Sequence, residues 1–289
     1  MWSDGSFTEM FERMRRYLVR ANGLDRGRSL VLMANILYAD DVRNLPRALA
    51  LTEEALPLLA GEPVSAVKAL INGLVFARMS SERTLADTYA RSLSVIETVH
   101  SKSIEDWRGR IAVGLGQHFE ESGRFLDALS RFKDGAAFHQ TNVGPHRGAE
   151  YGERDRRCYH AMSLAGCARM CIRLGRLDQA EAYAKQVSTA RLPEEYNPHS
   201  GYLDALIAMT RGQLEGVEGS LRRILDDPRA GNDHEMRLMA AELLARYYSD
   251  TGYYDRACQT LYPIMLETGS ARALLRMQRY LKSLRSKSA

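Results

Sequence analysis

The chain has 289 residues, a formal net charge of +4, 45% hydrophobic and 26% charged residues, and four cysteines. This composition is typical of a folded protein, and so small a net charge does not by itself predict nucleic-acid binding. No stretch approaches the ~18 uninterrupted apolar residues of a transmembrane helix, and the N-terminus lacks the apolar run of a secretory signal. We therefore expect a cytoplasmic protein with reduced thiols and no membrane association.

Residues 1–23 predict an amphipathic helix that caps the N-terminal end of a helical array. Ser6 and Glu9 have the spacing of a capping box, and Gly23 lies just past the expected end of the helix. The apolar residues form one stripe, at Phe7, Met10, Phe11, Met14, Leu18 and Ala21. A basic helix that lies on a membrane surface or on a partner is the alternative interpretation.

Residues 29–59 and 64–99 predict two helix pairs. In the first pair Pro46 lies in the first turn of the second helix, where proline is tolerated, and Ala48 takes the position of closest approach between the helices. In the second pair the chain is expected to turn near Ser80 and Ser81. The second pair matches the pattern of the others less well.

The clearest pattern is LGQHFEESGRFLDALSRF, residues 115–132. Gly116 lets a second helix lie close, and Gly123 stands where the chain must turn through a conformation open mainly to glycine. Ala128 and Phe132 face back toward the first helix. The stretch therefore predicts two short helices folded back on each other.

The same frame returns downstream of an insertion loop near 139–157 that is rich in glycine, proline and charge. Its turn glycines are Gly175, Gly212 and Gly252. The residues predicted at the position of closest helix approach are Ala48, Ala86, Ala128, Ala180, Val217 and Ala257. Asp204 stands where the frame requires an apolar residue, so we expect the first helix of that unit to be shifted in register.

These residues resemble the tetratricopeptide repeat, a helix–turn–helix unit of about 34 residues. The resemblance implies an all-α, right-handed superhelix of stacked antiparallel helix pairs, an α-solenoid. Residues 1–23 would be its N-terminal cap, 24–268 an array of about six pairs, and 269–289 a capping helix with a basic tail. The spacing is similar to the repeat domains of bacterial peptide-sensing and maltose-regulator-type proteins, and it implies a non-enzymatic module without a cofactor.

Catalytic and metal-binding motifs such as GxxxxGK[ST], HExxH and CxxC are absent from the sequence. Cys167 and Cys171 take core positions of the repeat, which predicts burial rather than reactivity. We therefore expect neither an enzyme nor a metal site. An enzymatic or metal site in the insertion loop is an alternative, and its candidate residues are His139, His146, Cys158 and His160.

In stacked repeats of this kind the first helix of each pair lines the concave wall. Seven side chains are expected to face outward there: Arg110, Gln117, Arg169, Arg173, Tyr202, Glu242 and Arg246. Gln117, Arg169 and Arg246 take the same position in three units, which predicts a polar and cationic track. The hypothesis is a groove that binds a peptide or protein segment with an acidic group or a C-terminal carboxylate. The alternative for each arginine is a solvated pair with a nearby glutamate.

Two broader functions stay open at this point. The first is a protein-binding or peptide-binding module. The second is a sensor or regulatory protein of a bacterial signalling or transcription system, which sequesters a partner in response to a peptide. The first 60 residues predict repeat-like helices in place of a DNA-binding domain, which argues against direct nucleic-acid binding. The apolar faces of the terminal helices could pair two chains in a homodimer.

Overall fold

The computed structural model describes residues 4–99, 103–141, 153–189, 198–227, 234–268 and 271–287. These residues are all-α, and no β-strand occurs among them. The helices are α1 Asp4–Leu18, α2 Gly23–Asp40, α3 Leu45–Leu58, α4 Pro63–Met79, α5 Arg83–Val99, α6 Arg108–Glu121, α7 Phe125–Thr141, α8 Glu153–Arg173, α9 Leu177–Thr189, α10 Pro198–Thr210, α11 Val217–Asp226, α12 His234–Asp250, α13 Tyr254–Thr268 and α14 Ala271–Lys287. Short 3₁₀ helices, Val42–Asn44 and Glu105–Trp107, precede α3 and α6.

The chain divides into two compact units. Unit 1 comprises Met1–Gly114 with Glu267–Gly269, and unit 2 comprises Leu115–Leu266 with Ser270–Ala289. Consecutive helices pack in antiparallel pairs, α2 with α3 and α4 with α5 in unit 1, and α8 with α9 and α10 with α11 in unit 2. The all-α fold of paired helices is therefore as predicted, whereas the division into cap, array and cap stays a prediction.

The same chain reversal ends helices α4, α6, α8, α10 and α12. One residue of each reversal has a positive φ, which is 62° at Ser81, 76° at Gly123, 72° at Gly175, 73° at Gly212 and 85° at Gly252. In the third, the Gly175 N–H donates to the Ile172 carbonyl at 3.1 Å and the Arg176 N–H to the Cys171 carbonyl at 2.8 Å. The other four repeat this pattern, which is the Schellman motif. The turns predicted at the four glycines and near Ser81 are confirmed.

Small residues allow the paired helices to approach closely. The six residues predicted for closest approach are at most 3% exposed, and they are Ala48, Ala86, Ala128, Ala180, Val217 and Ala257. A Cβ added to Gly116 would lie 2.9 Å from the Phe132 ring, and one added to Gly166 would lie 2.5 Å from it. Phe132 on α7 is thus wedged between α6 and α8, and neither glycine has room for a side chain. The prediction for Gly116 is confirmed, and Gly166 is a second contact that the sequence pattern did not reveal.

The N-terminal capping box is a wrong prediction. Helix α1 begins at Asp4, so Ser6 lies within its first turn rather than before it. A residue inside the helix already has helical backbone geometry, so Ser6 cannot be the residue that precedes and caps the helix. Gly23 does not follow α1 directly, because α1 ends at Leu18 and Gly23 begins α2 with a φ of 49°.

The register shift predicted around Asp204 is confirmed. Helix α10 buries Tyr202, Leu203 and Ala205, whereas Asp204 is exposed. The insertion loop is shorter than the predicted 139–157, because α7 continues to Thr141 and α8 begins at Glu153. The intervening residues, and His146 among them, lie outside the described part of the chain.

Gly175 and Ser81 provide a matched test of the turn conformation. A Cβ on Gly175 would meet nothing within 4 Å, so Gly175→Ala carries only the cost of the left-handed backbone. We expect this substitution to lower the free energy of unfolding by ~1 kcal/mol, and Ser81→Gly to raise it by ~0.5 kcal/mol. Urea denaturation followed by circular dichroism measures both. The control is Gly219→Ala, because Gly219 lies in α11 without a positive φ and a Cβ there would meet nothing within 4 Å, so alanine should raise the free energy of unfolding. A loss of stability for Gly219→Ala as large as that for Gly175→Ala would contradict this account.

Candidate functional site

The seven residues predicted to line the groove differ widely in exposure. Four are buried at 5–8% exposure, namely Gln117, Arg169, Tyr202 and Glu242. Arg110 is half-buried, and Arg173 and Arg246 are exposed. The prediction that all seven face solvent is therefore wrong for the four buried residues.

Arg169 on α8 is buried because it pairs with Glu120 on α6. Its Nε donates to Glu120 Oε1 at 2.9 Å and its Nη2 to Oε2 at 2.8 Å, and the guanidinium lies 5.7 Å from the centroid of the Phe132 ring. Burial lowers the pKa of Arg169, but the charge and hydrogen bonds of Glu120 outweigh it, so the net shift of the pKa is upward. Arg169 therefore stays charged inside unit 2.

Gln117 lies on α6 one turn before Glu120. Its Nε2 donates to both carboxylate oxygens of Glu235, at 3.1 and 3.2 Å. Glu235 lies in the first turn of α12, 118 positions away in the chain. Helices α6 and α12 thus meet within unit 2, and polar side chains that the repeat frame assigns to a groove bond to each other.

Two side chains of α10 complete this buried polar cluster. The Nδ1 atom of His199 is buried without a hydrogen-bond partner among the described residues. Burial and the charge of Arg169 lower the pKa of His199 to about 4, although Glu235 opposes the shift. Burial also raises the pKa of Tyr202, against the influence of Arg169. Both side chains are therefore neutral at neutral pH.

Glu242 and Arg246 on α12 bond to different neighbours. Glu242 Oε2 lies 3.4 Å from Arg276 Nη1 on α14, and the Glu242 side chain is only 7% exposed. Arg246 Nε lies 3.4 Å from Asp250 Oδ2, and both side chains are about half exposed. Arg246 therefore forms the solvated pair that was the alternative interpretation for each arginine, although with an aspartate.

Arg110 belongs to a cluster in unit 1. Its Cζ lies 4.8 Å from the centroid of the Trp107 ring, and the Lys68 Nζ of α4 lies 5.3 Å from a ring centroid of the same residue. Arg28 on α2 donates from Nε to Ser65 Oγ of α4 at 3.3 Å. We refer to Arg28, Lys68, Trp107 and Arg110 as the Trp107 cluster.

The Trp107 cluster contains three cations, and two of them act on the third. The pKa of Lys68 is lowered, chiefly by burial and also by Arg110 and Arg28, while Glu62 opposes the shift. Glu62 lies 3.9 Å from Arg28, and its shorter contact is at 2.6 Å with the Ser65 N–H that it caps. An added carboxylate would stabilise the charged form of Lys68 and could form charge-assisted hydrogen bonds.

Sequence reasoning selected Arg110 but missed Lys68 and Arg28. Lys68 lies in the predicted pair 64–99, which matches the repeat pattern less well, and Arg28 lies just before the predicted pair 29–59, so neither position could be read from the frame. One signal was present: Lys68 stands in the apolar run VSAVKALINGLVFA, where it is the one charged residue. A lone lysine in such a run is costly to bury without a specific contact.

Two histidines of the alternative site in the insertion loop, His139 and His160, lie within the described residues, and both make contacts between helices. The His139 and Tyr159 rings stack with centroids 5.8 Å apart, and His160 Nδ1 lies 3.1 Å from the Ala136 carbonyl oxygen. These contacts join α7 to α8. Within the described residues, no group of three or more His, Cys, Asp or Glu side chains is arranged to hold a metal ion. In the same part of the chain, no helix combines the length and hydropathy needed to cross a membrane.

Comparisons with known proteins show limited similarity. No protein-family model and no curated protein matches this chain. Among solved structures it is similar to a chain in the crystal structure of the APC/C hetero-tetramer Cut9–Hcn1, with 14% identity and a TM-score of 0.48. The match covers 95% of this chain and 53% of the other, so this chain spans about half the length of the one it matches.

Because Arg169 and Glu120 form a buried ion pair, we expect truncation of Glu120 to have a large effect on the free energy of unfolding. Glu120→Ala should lower the free energy of unfolding by ~3 kcal/mol, because it leaves the buried guanidinium without a counter-charge. The double variant Glu120→Leu with Arg169→Met should recover most of this loss, since apolar residues can replace a buried ion pair. Urea denaturation at pH 7 measures both. The control Asp250→Ala removes an exposed pair and should cost ~0.5 kcal/mol. A loss for Glu120→Ala no larger than the control would show that the pair is not stabilising.

His199 predicts a dependence of stability on pH. Its pKa is about 4 in the folded chain and ~6.5 when unfolded, so the unfolded state takes up a proton first as the pH falls. The contribution of neutral His199 is complete above pH ~6.5 and is lost progressively as the pH falls to about 4. His199→Gln should therefore lose less stability than wild type between pH 7 and pH 5. Urea denaturation at several pH values gives the difference, and parallel curves for the two proteins would refute the burial of this ring.

Proposed function

We propose that this chain is a non-enzymatic module that binds a protein or peptide through the Trp107 cluster of unit 1. The observation that carries the proposal is the convergence of Lys68 and Arg110 on one tryptophan, with Arg28 on the neighbouring helix α2. All three cations lie on helices that come first in their pairs, which is the face that the resemblance to tetratricopeptide repeats assigns to ligands.

The chemistry of the cluster favours an acidic partner segment. Arginine can hold a carboxylate through two hydrogen bonds, and lysine adds a compact positive charge. The Arg28 side chain is 51% exposed, so a ligand can reach it. The Trp107 ring offers apolar area to a residue next to the acidic group. We therefore propose that the ligand carries an acidic side chain or a free C-terminal carboxylate.

The predicted groove residues of unit 2 fall into two groups, of which only the exposed one is proposed to contact a ligand. Gln117, Arg169, Tyr202 and Glu242 serve its internal packing, so they are not proposed as ligand contacts. Arg173 and Arg246 are exposed and stay candidates for a longer partner segment.

A narrower version of the proposal is a cytoplasmic sensor in a bacterial regulatory system that releases or sequesters a partner when a peptide binds. Native mass spectrometry of protein purified from its own host separates the two versions. A bound peptide would support the sensor, whereas a bound folded protein would support a scaffold.

Affinity selection from a peptide pool tests the binding site itself. The probe is a pool of random hexapeptides with free C-termini, mixed with an equal pool that is amidated. We expect wild type to enrich acidic sequences and free C-termini at least ~3-fold, because the cluster gains a counter-charge. The double variant Lys68→Ala with Arg110→Ala should lose this enrichment. Arg91→Ala is the control, since Arg91 is an exposed arginine on α5 of the same unit. The proposal would be overturned if the double variant kept this enrichment, or if wild type showed none.

A further inference from the structure

A cleft lies between α9 and α10 in unit 2, remote in sequence from the Trp107 cluster. Its volume is about 330 Å³, which lies within the ~300–1,000 Å³ typical of ligand pockets. Helix α9 contributes Glu181, Ala184 and Lys185, and α10 contributes Asp204, Ile207 and Ala208. The cleft therefore combines an apolar floor with charged groups at its rim.

One end of the cleft is held by an ion pair. Arg211, just past the end of α10, pairs with Glu181 on α9, so the charges of these two residues satisfy each other. The pair links the two helices across the opening.

Asp204 has a different environment from the other carboxylate of the cleft. Within the described residues it makes no hydrogen bond and no ion pair, and Lys185 lines the same cleft without pairing with it. Asp204 is exposed as a residue, but neighbouring atoms desolvate its carboxyl group in part, which raises the pKa of that group. Among the described residues no cation pairs with this carboxylate to offset the desolvation. Asp204 is also the residue that breaks the apolar pattern of the repeat.

We infer that the α9–α10 cleft binds a basic side chain, arginine or lysine, of a partner peptide. The guanidinium or ammonium group pairs with Asp204, and the alkyl part of the side chain lies on Ala184 and Ile207. Long basic side chains bury their methylene groups along apolar surface in this way. This site goes beyond the proposed function, since it lies in the other unit and selects the opposite charge.

Two peptides that differ in one charge provide the probe. They are acetyl-Ala-Leu-Arg-Leu-Ala-amide and the same peptide with citrulline, which keeps the shape of arginine but is neutral. Methyl NMR of isotope-labelled isoleucine and alanine residues follows the titration, with the Ile207 signal assigned through Ile207→Val. We expect saturable shifts of the Ile207 and Ala184 methyl groups with the arginine peptide. The citrulline peptide should bind at least ~5-fold more weakly.

Variants of the cleft complete the test. Asp204→Asn removes the charge at nearly constant volume and should weaken the arginine peptide ~5-fold, to the level of the citrulline peptide. Asp178→Asn is the matched control, because Asp178 is an exposed aspartate of α9 that does not line the cleft. It should leave the affinity unchanged. The inference is overturned if the Ile207 and Ala184 methyl groups do not shift, or if Asp204→Asn binds the arginine peptide as wild type does. Should Asp204→Asn fail to fold, equal binding of the two peptides by wild type would overturn it equally.

Discussion

The reversal of the chain between paired helices is the constraint on which the rest of the structure depends. In five helix pairs the last turn of the first helix ends within two residues, and the helices pack antiparallel over a short connection, whereas α2 and α3 are joined through the 3₁₀ helix Val42–Asn44. A residue with positive φ achieves this, because its own N–H and the next one bond back to the helix. With the turn fixed, the small residue that follows always lies against the first helix, as Ala128 and Ala180 do. Helix pairing therefore follows from local geometry.

This locality explains how much of the fold could be predicted from the sequence. Gly123 and Ala128 belong to one helix pair and Gly175 to the next, and in each pair the residues that form the turn lie close together in the sequence. Their spacing could therefore be recognised from the sequence alone. The turn at Ser81 shows the limit of this signal, since serine adopts the left-handed conformation there at a cost and leaves a weaker pattern. The close contact at Gly166 could not be predicted for another reason. The ring that it contacts, that of Phe132, belongs to the preceding helix pair.

The candidate site was harder to predict because it depends on contacts between distant pairs. Gln117 and Glu235 are 118 positions apart, and a repeat frame does not reveal how tightly the first helices of four successive pairs come together. The frame identified Arg169 as a residue of the inner face, and the structure places Glu120 within bonding distance of it. The exposure of these side chains was therefore not predictable from the repeat frame, and their place on an inner face stays a prediction.

Arg169 and the Trp107 cluster differ in the net free energy that a carboxylate ligand could gain by binding there. A carboxylate that approached Arg169 would have to displace Glu120, and the displaced carboxylate would stay partly buried without its cation. Because breaking a buried pair costs more than forming an exposed one returns, such an exchange is unfavourable. At the Trp107 cluster the balance is reversed. Burial and the charges of Arg110 and Arg28 disfavour the charged form of Lys68 while Glu62 favours it, and the net shift of the pKa is downward, so an incoming carboxylate would stabilise the charged form. A cation whose charged form is disfavoured by burial and by neighbouring cations, rather than one that already has a buried counter-charge, is therefore the group that we propose an acidic ligand contacts in this chain.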